Sequence, residues 1–138
     1  MFQWNDSFAT GIKEIDNQHQ RLFEIGGEIE VLLGTYLDQS TLNHAIELIN
    51  DLKEYTVYHF NTEKNLFIKY NYPDMGAHLV EHEKFIKYLN GFHMNEVLEN
   101  QEEFLQNLLK VIAQWIFKHI NNVDFEYVPF LKNAMMEK

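Results

Sequence analysis

Residues 41–70, TLNHAIELINDLKEYTVYHFNTEKNLFIKY, decide the fold. Leu42, Ala45, Ile49, Leu52, Thr56, His59, Glu63, Leu66 and Tyr70 recur at steps of three and four, which places them on one stripe of an α-helix. No glycine or proline interrupts the run. The stripe is aliphatic as far as Leu52 and then carries an imidazole and a carboxylate one turn apart. Burying such groups without partners is costly. The helix therefore requires something to satisfy them.

The flanking sequence repeats the pattern. Upstream, Asp16 is placed to cap a helix running to about Leu37, and His19 shares its stripe with Ile15, Leu22, Gly26, Ile29 and Leu33. Asp38–Ser40 reads as a short turn. Downstream, Pro73 in the Asn71–Asp74 turn opens a third helix to about Leu98. That helix turns Met75, His78, His82, Phe85 and Leu89 inward, and Gly91 weakens its last turns. Asn100 and Glu103 have capping-box spacing for a fourth helix carrying Phe104, Leu108, Ile112, Trp115 and His119. Pro129 is expected to kink or end it, so that a short segment with Phe130 and Leu131 folds back. Residues 1–14 form an arm in which Trp4, Phe8 and Ile12 can cover apolar surface. Four amphipathic helices joined by short loops specify an all-α fold, an up-down-up-down antiparallel four-helix bundle, with 1–138 as one domain.

Composition removes whole classes of function. The chain has no cysteine, which excludes disulfides, thiolate zinc sites and iron–sulfur clusters and suits a reducing cytosol. The opening MFQWNDSFATG has neither the basic region nor the apolar run of a secretory signal. No apolar stretch approaches the length of a membrane span, so a cytoplasmic protein without a membrane partner is expected. A net charge of −10 disfavours nucleic acid and anionic lipid alike.

Five histidines and two acids lie on these inward faces: His19, His59, Glu63, His78, His82, His119 and Asp124. One buried histidine is commonly just a hydrogen-bonded core residue, but that explanation would have to hold for the whole set at once. A metal centre accounts for all of them together. If all seven bind, five imidazoles and two bridging carboxylates supply about nine donors, too many for one ion and suited to two. Two octahedral ions joined by an oxide or hydroxide then keep about one position vacant. Nitrogen-rich ligation disfavours magnesium and calcium. The pairs His59/Glu63 and His78/His82 are each four residues apart and face one way. His119 and Asp124 are five apart, which in a straight helix leaves them about 140° divergent. If both reach one centre the helix must bulge there, and a π-type turn would do it. His44 and His93 fall off the stripes and read as surface residues. Glu14 and Asp16 read as helix-start charges, with a hydrogen bond to a ligand imidazole as the alternative.

At these residues the chain resembles a stand-alone bacterial hemerythrin over nearly its whole length. The likeness includes Trp4, GIKEIDNQHQRLF around His19, HFNTEKNL, HLVEHEKF and WIFKHINNVDFEY. It implies two bridged iron ions: His78, His82 and His119 on a coordinatively full one, His19 and His59 on the one with the vacancy, Glu63 and Asp124 bridging. It implies reversible binding of dioxygen, which draws two electrons from the reduced pair, in a pocket lined by Leu22, Phe60, Trp115, Ile116 and Ile120. Lys64 stands where many relatives carry an acid; it should point outward without touching the metals. The alternatives are a di-iron enzyme reducing peroxide or nitric oxide, or oxidising a substrate, and an iron-handling protein. No clear acid falls in the expected pocket, which leans toward binding rather than turnover. A separate protein or redox partner is left open.

Overall fold

The computed structural model describes residues 2–34, 38–90 and 101–136. Its elements are a short 3-10 turn (Asp6–Phe8), α1 (Lys13–Leu33), α2 (Gln39–Tyr70), α3 (Met75–Asn90), α4 (Gln101–Lys118), a π turn (His119–Asp124) and α5 (Phe125–Met136). The first four helices make the up-down-up-down bundle. α1 packs on α2 and α4, α2 on α3, and α5 returns against α2. There is no strand among the described residues, and no helix is long and apolar enough to cross a membrane.

Two apolar cores fill the bundle. The larger holds Leu22, Ile29, Ile49, Leu52, Phe85, Leu105, Ile112 and Ile116 among others; the smaller holds Ile12, Ile15, Phe67, Tyr72, Tyr127, Val128 and Leu131. The arm seals the larger one. Phe2, Trp4 and Phe8 pack edge-on or tilted against Phe23 and Phe117 at centroid distances of 5.2–6.4 Å across the group. Phe2 can lie on α1 because residue 26 is glycine; a Cβ there would occupy the ring's place.

Several boundaries differ from the sequence expectation. α1 starts at Lys13, and Asp16 is not its cap. Its carboxylate reaches back to accept from Thr10 N (2.7 Å), Thr10 Oγ1 (2.8 Å) and Gly11 N (3.1 Å), tying the arm to the helix. Gly11 serves this return with a left-handed φ of 82°. α1 ends at Leu33. α2 begins at Gln39, so Asp38 is a cap, not part of a longer turn; it accepts from Thr41 N at 2.8 Å. Asn71 closes α2 with φ 56°, a conformation asparagine tolerates better than most residues. Phe67 is fully buried near that end whereas Leu66 is only partly covered. Pro129 lies inside α5, and the irregularity expected of it sits one turn earlier, in the π turn. Gly91, His93, Leu98 and Asn100 lie outside the described residues.

Candidate metal centre

Between the two apolar cores lies one polar layer. α1 supplies His19, α2 His59 and Glu63, α3 His78 and His82, and the π turn His119 and Asp124; none is more than 5% exposed. The five-residue step of the last pair is accommodated by six residues wound as π-helix, which bring His119 Nε2 within 2.9 Å of Asp124 Oδ1. The expectation of a bulge at this spacing is met.

The polar atoms crowd together without pairing. His59 Nε2 and His82 Nε2 lie 3.1 and 3.2 Å from Glu63 Oε1, while His78 Nε2 is 3.8 Å from Glu63 Oε2. Asp124 Oδ1 faces His78 (3.1 Å) as well as His119, and Oδ2 faces His19 (3.1 Å). Yet all five Nε2 atoms and all four carboxylate oxygens are buried without an aligned hydrogen bond. Orphaned groups of this kind are rare in a folded interior. Donors sharing one ion at bonds of about 2.1 Å and right angles stand about 3 Å apart, which is the spacing found. Two sets could each hold an ion: Glu63, His78, His82, His119 and Asp124, and His19, His59 and Asp124.

The protonation balance fits cations. Burial and the nearby Asp124 push the Glu63 carboxyl upward, but His59 and His82 outweigh them and hold it well below the usual range. Burial likewise opposes ionisation of Asp124, and His119, His19 and His78 override it. Burial lowers His82 despite Glu63, whereas Asp124 raises His119 against its burial. Ionised carboxylates are what metal ligation needs, and a cation between Asp124 and His119 would take the place of the proton that Asp124 favours on that ring.

The surroundings of the layer are uneven. His82 is stacked under Phe60 (3.8 Å, 3°), His119 under Trp115 (4.4 Å, 12°), and His78 meets Phe67 edge-on (4.9 Å). A void of about 10 Å³ borders the layer at His19 and His59, and His119 and Asp124 also line it. Leu22, Phe60, Trp115, Ile116 and Ile120, the five residues expected there, all line it, and so does Thr56. The Thr56 hydroxyl donates to Leu52 O at 2.7 Å. Its place on the inward stripe was visible in the sequence; its hydroxyl beside a ligand was not.

Gln18 was also missed. It is buried, its Oε1 lies 2.7 Å from His59 Nδ1, and its amide donates to Thr62 Oγ1 at 3.0 Å. That bond directs Nε2 of His59 toward the centre. The only cue would have been its position beside His19 on an otherwise apolar stripe. Glu14 and Asp16 sit in the first turn of α1. Asp16 is engaged with the arm, and His19 Nδ1 has no partner among the described residues. The Tyr127 hydroxyl is fully buried; burial, then Glu63 and Asp124, raise it well above its ordinary value. His44 is exposed and far in sequence from the layer, and Lys64 is exposed.

A family model for the hemerythrin HHE cation-binding domain matches residues 10–131. The chain belongs to the hemerythrin family. It is similar to a bacteriohemerythrin of Clostridium acetobutylicum, 34% identical over 93% of this chain and 99% of that one. A bacteriohemerythrin of Pseudomonas aeruginosa is 32% identical over 97% of this chain and 84% of its own. A crystal structure of a hemerythrin bearing a leucine-to-alanine substitution superposes with a TM-score of 0.78 at 26% identity, covering 94% of this chain and 95% of that chain. As in that family, the fold is a helical bundle around a cluster of histidines and carboxylates able to hold metal.

Proposed function

We propose that this hemerythrin-family chain binds dioxygen reversibly at a pair of iron ions. In this reading His78, His82 and His119 hold one ion, His19 and His59 the other, and Glu63 and Asp124 join them. The observation that carries it is the split of Asp124, whose Oδ1 faces His78 and His119 while Oδ2 faces His19. A carboxylate so shared suits two ions better than one. When bound, the pair supplies the electrons that oxygen takes up.

The chain's own residues explain why binding is favoured over turnover. The void beside His19 and His59 is about 10 Å³, close to the least space that holds one water-sized molecule and far too small for an organic substrate. Its walls offer aliphatic and aromatic surface, ligand side chains and Thr56. The Thr56 proton is committed to the Leu52 carbonyl. Among the described residues, the one acid lining the void is Asp124, already assigned to the metals in this reading, which leaves none to drive reduction of peroxide or nitric oxide. Leu22, Ile116 and Ile120 exclude water from the space, while Gln18 holds His59 in one orientation.

Metal analysis and a gas cycle test this. Purified protein should carry about two irons per chain. After anaerobic reduction, its visible spectrum should alternate between two forms under repeated air and argon. One iron per chain, tightly held zinc after iron-replete expression, or irreversible bleaching with consumption of peroxide would overturn the reading.

A further inference from the structure

Beside Phe60, which also lines the void, α2 and α3 part to leave a cleft of about 510 Å³, within the range of small-molecule sites. Val57, Phe60, Leu79 and Ile86 give it apolar walls, and His82 itself is part of its lining. Its charged lining is Lys64, Lys87 and Glu83, two positive groups against one negative in a chain of net charge −10. Neither lysine has an ion-pair partner among the described residues, whereas Lys84, on the same helix as Lys87, pairs with Glu81 at 3.8 Å. His82 is 4% exposed, and its Nδ1, unlike that of His59, is without a partner. Phe60 lies flat on this imidazole and lines both the cleft and the void.

An apolar slot with two unpaired lysines selects an anion with a flat or extended apolar body. Its position selects further, because only a side chain's thickness of imidazole separates it from the polar layer. The chain has no cysteine that could carry electrons inward. We propose that the cleft docks a planar aromatic anion of the dihydroflavin phosphate class, which restores the oxidised centre through His82. The proposal rests on the di-iron reading above. In balance, a dihydroflavin gives up two electrons and two protons to become the oxidised ring. Two ferric ions accept one electron each, and the protons pass to solvent and to the bridging oxygen. Lys64 and Lys87 hold the phosphate, and the apolar walls hold the ring.

The test titrates the iron-loaded, oxidised protein with flavin mononucleotide, read by quenching of flavin fluorescence. Dihydroflavin mononucleotide is then mixed anaerobically and the loss of the oxidised spectrum is timed. Binding should saturate and weaken with salt. Lys64→Glu with Lys87→Glu should weaken it about tenfold and slow reduction in parallel, while Lys84→Glu changes neither. Circular dichroism checks that these surface variants keep their fold. Equal loss in Lys84→Glu, unaltered binding in the double variant, or reduction indifferent to both would overturn the site. Octanoate displacing no flavin supports the aromatic occupant; octanoate binding more tightly than flavin overturns it. If flavin binding and its lysine dependence hold while the gas cycle fails, the oxygen-binding reading falls and the cleft stands. The opposite pattern removes only the cleft.

Discussion

The two ends of the polar layer are built differently, though both consist of buried imidazoles around shared carboxylates. At the end made by His78, His82 and His119, every ring is backed by an aromatic: Phe67, Phe60 and Trp115. At the other end, His19 and His59 contact each other (4.6 Å) and border a void walled by Leu22, Thr56, Ile116 and Ile120, with Phe60 and Trp115 closing it toward His119. Rigid rings hold imidazoles in place and leave no room. Aliphatic side chains leave a small dry space where a ligand can enter without solvent following. In the di-iron reading proposed above, the difference separates a structural end from a reactive one.

Removing an imidazole from either end tests that contrast most severely. His82→Ala should leave less than about one iron per chain and lower the melting temperature sharply. It takes away the ring under Phe60 and unbalances Glu63, which serves both ends. His19→Ala should keep about one iron, at the three-histidine end, and lose oxygen binding. Equal iron loss in the two variants, by metal analysis, would erase the asymmetry.

Leu22→Ala widens the reactive end alone. Leu22 is 3% exposed, so a loss of about 2–5 kcal/mol is expected on thermal or denaturant unfolding. Well below the melting transition the variant should still hold about two irons and bind oxygen, yet autoxidise severalfold faster because water reaches the centre. Unchanged autoxidation in a fully loaded, folded variant would pass the protective role to Phe60, Trp115 or Ile120.

A smaller effect is expected from Gln18→Leu, which removes the acceptor at His59 Nδ1 and leaves every ligand in place. Competition with a chelator should show iron at the two-histidine end held about 10–100-fold more weakly, with the three-histidine end unaffected. His44→Ala, at an exposed position, should change neither iron content nor colour. A change there comparable to that of His19→Ala would show that the ligand set is misassigned.

These contrasts were unequally legible in the sequence. Six of the seven polar residues announced themselves because each violates the apolar stripe it sits on, and a helical stripe is a local property; Asp124 lies off the stripe of His119 and was placed by the bulge its spacing would require and by the family resemblance. The five-residue step from His119 to Asp124 even foretold the π turn, since regular winding would part them. Gln18 and the Lys64/Lys87 cleft were not legible. Each depends on the register of one helix against another, which one-dimensional periodicity does not contain. Asp16 was misread for a related reason: it had the right chemistry for a cap, but the arm folds back to claim it. Pro129 was given a break that belongs to the π turn.

That turn gives the centre unequal jaws. Glu63 projects from about two turns before the end of a continuous helix of 32 residues, where each backbone bond braces the next. Asp124 projects from six residues wound wider than an α-helix, which carry one residue more than the span requires. The two carboxylates thus stand on backbone of two different windings. An added residue in the π turn lengthens the reach of one jaw without altering the α1–α2 frame that carries the other.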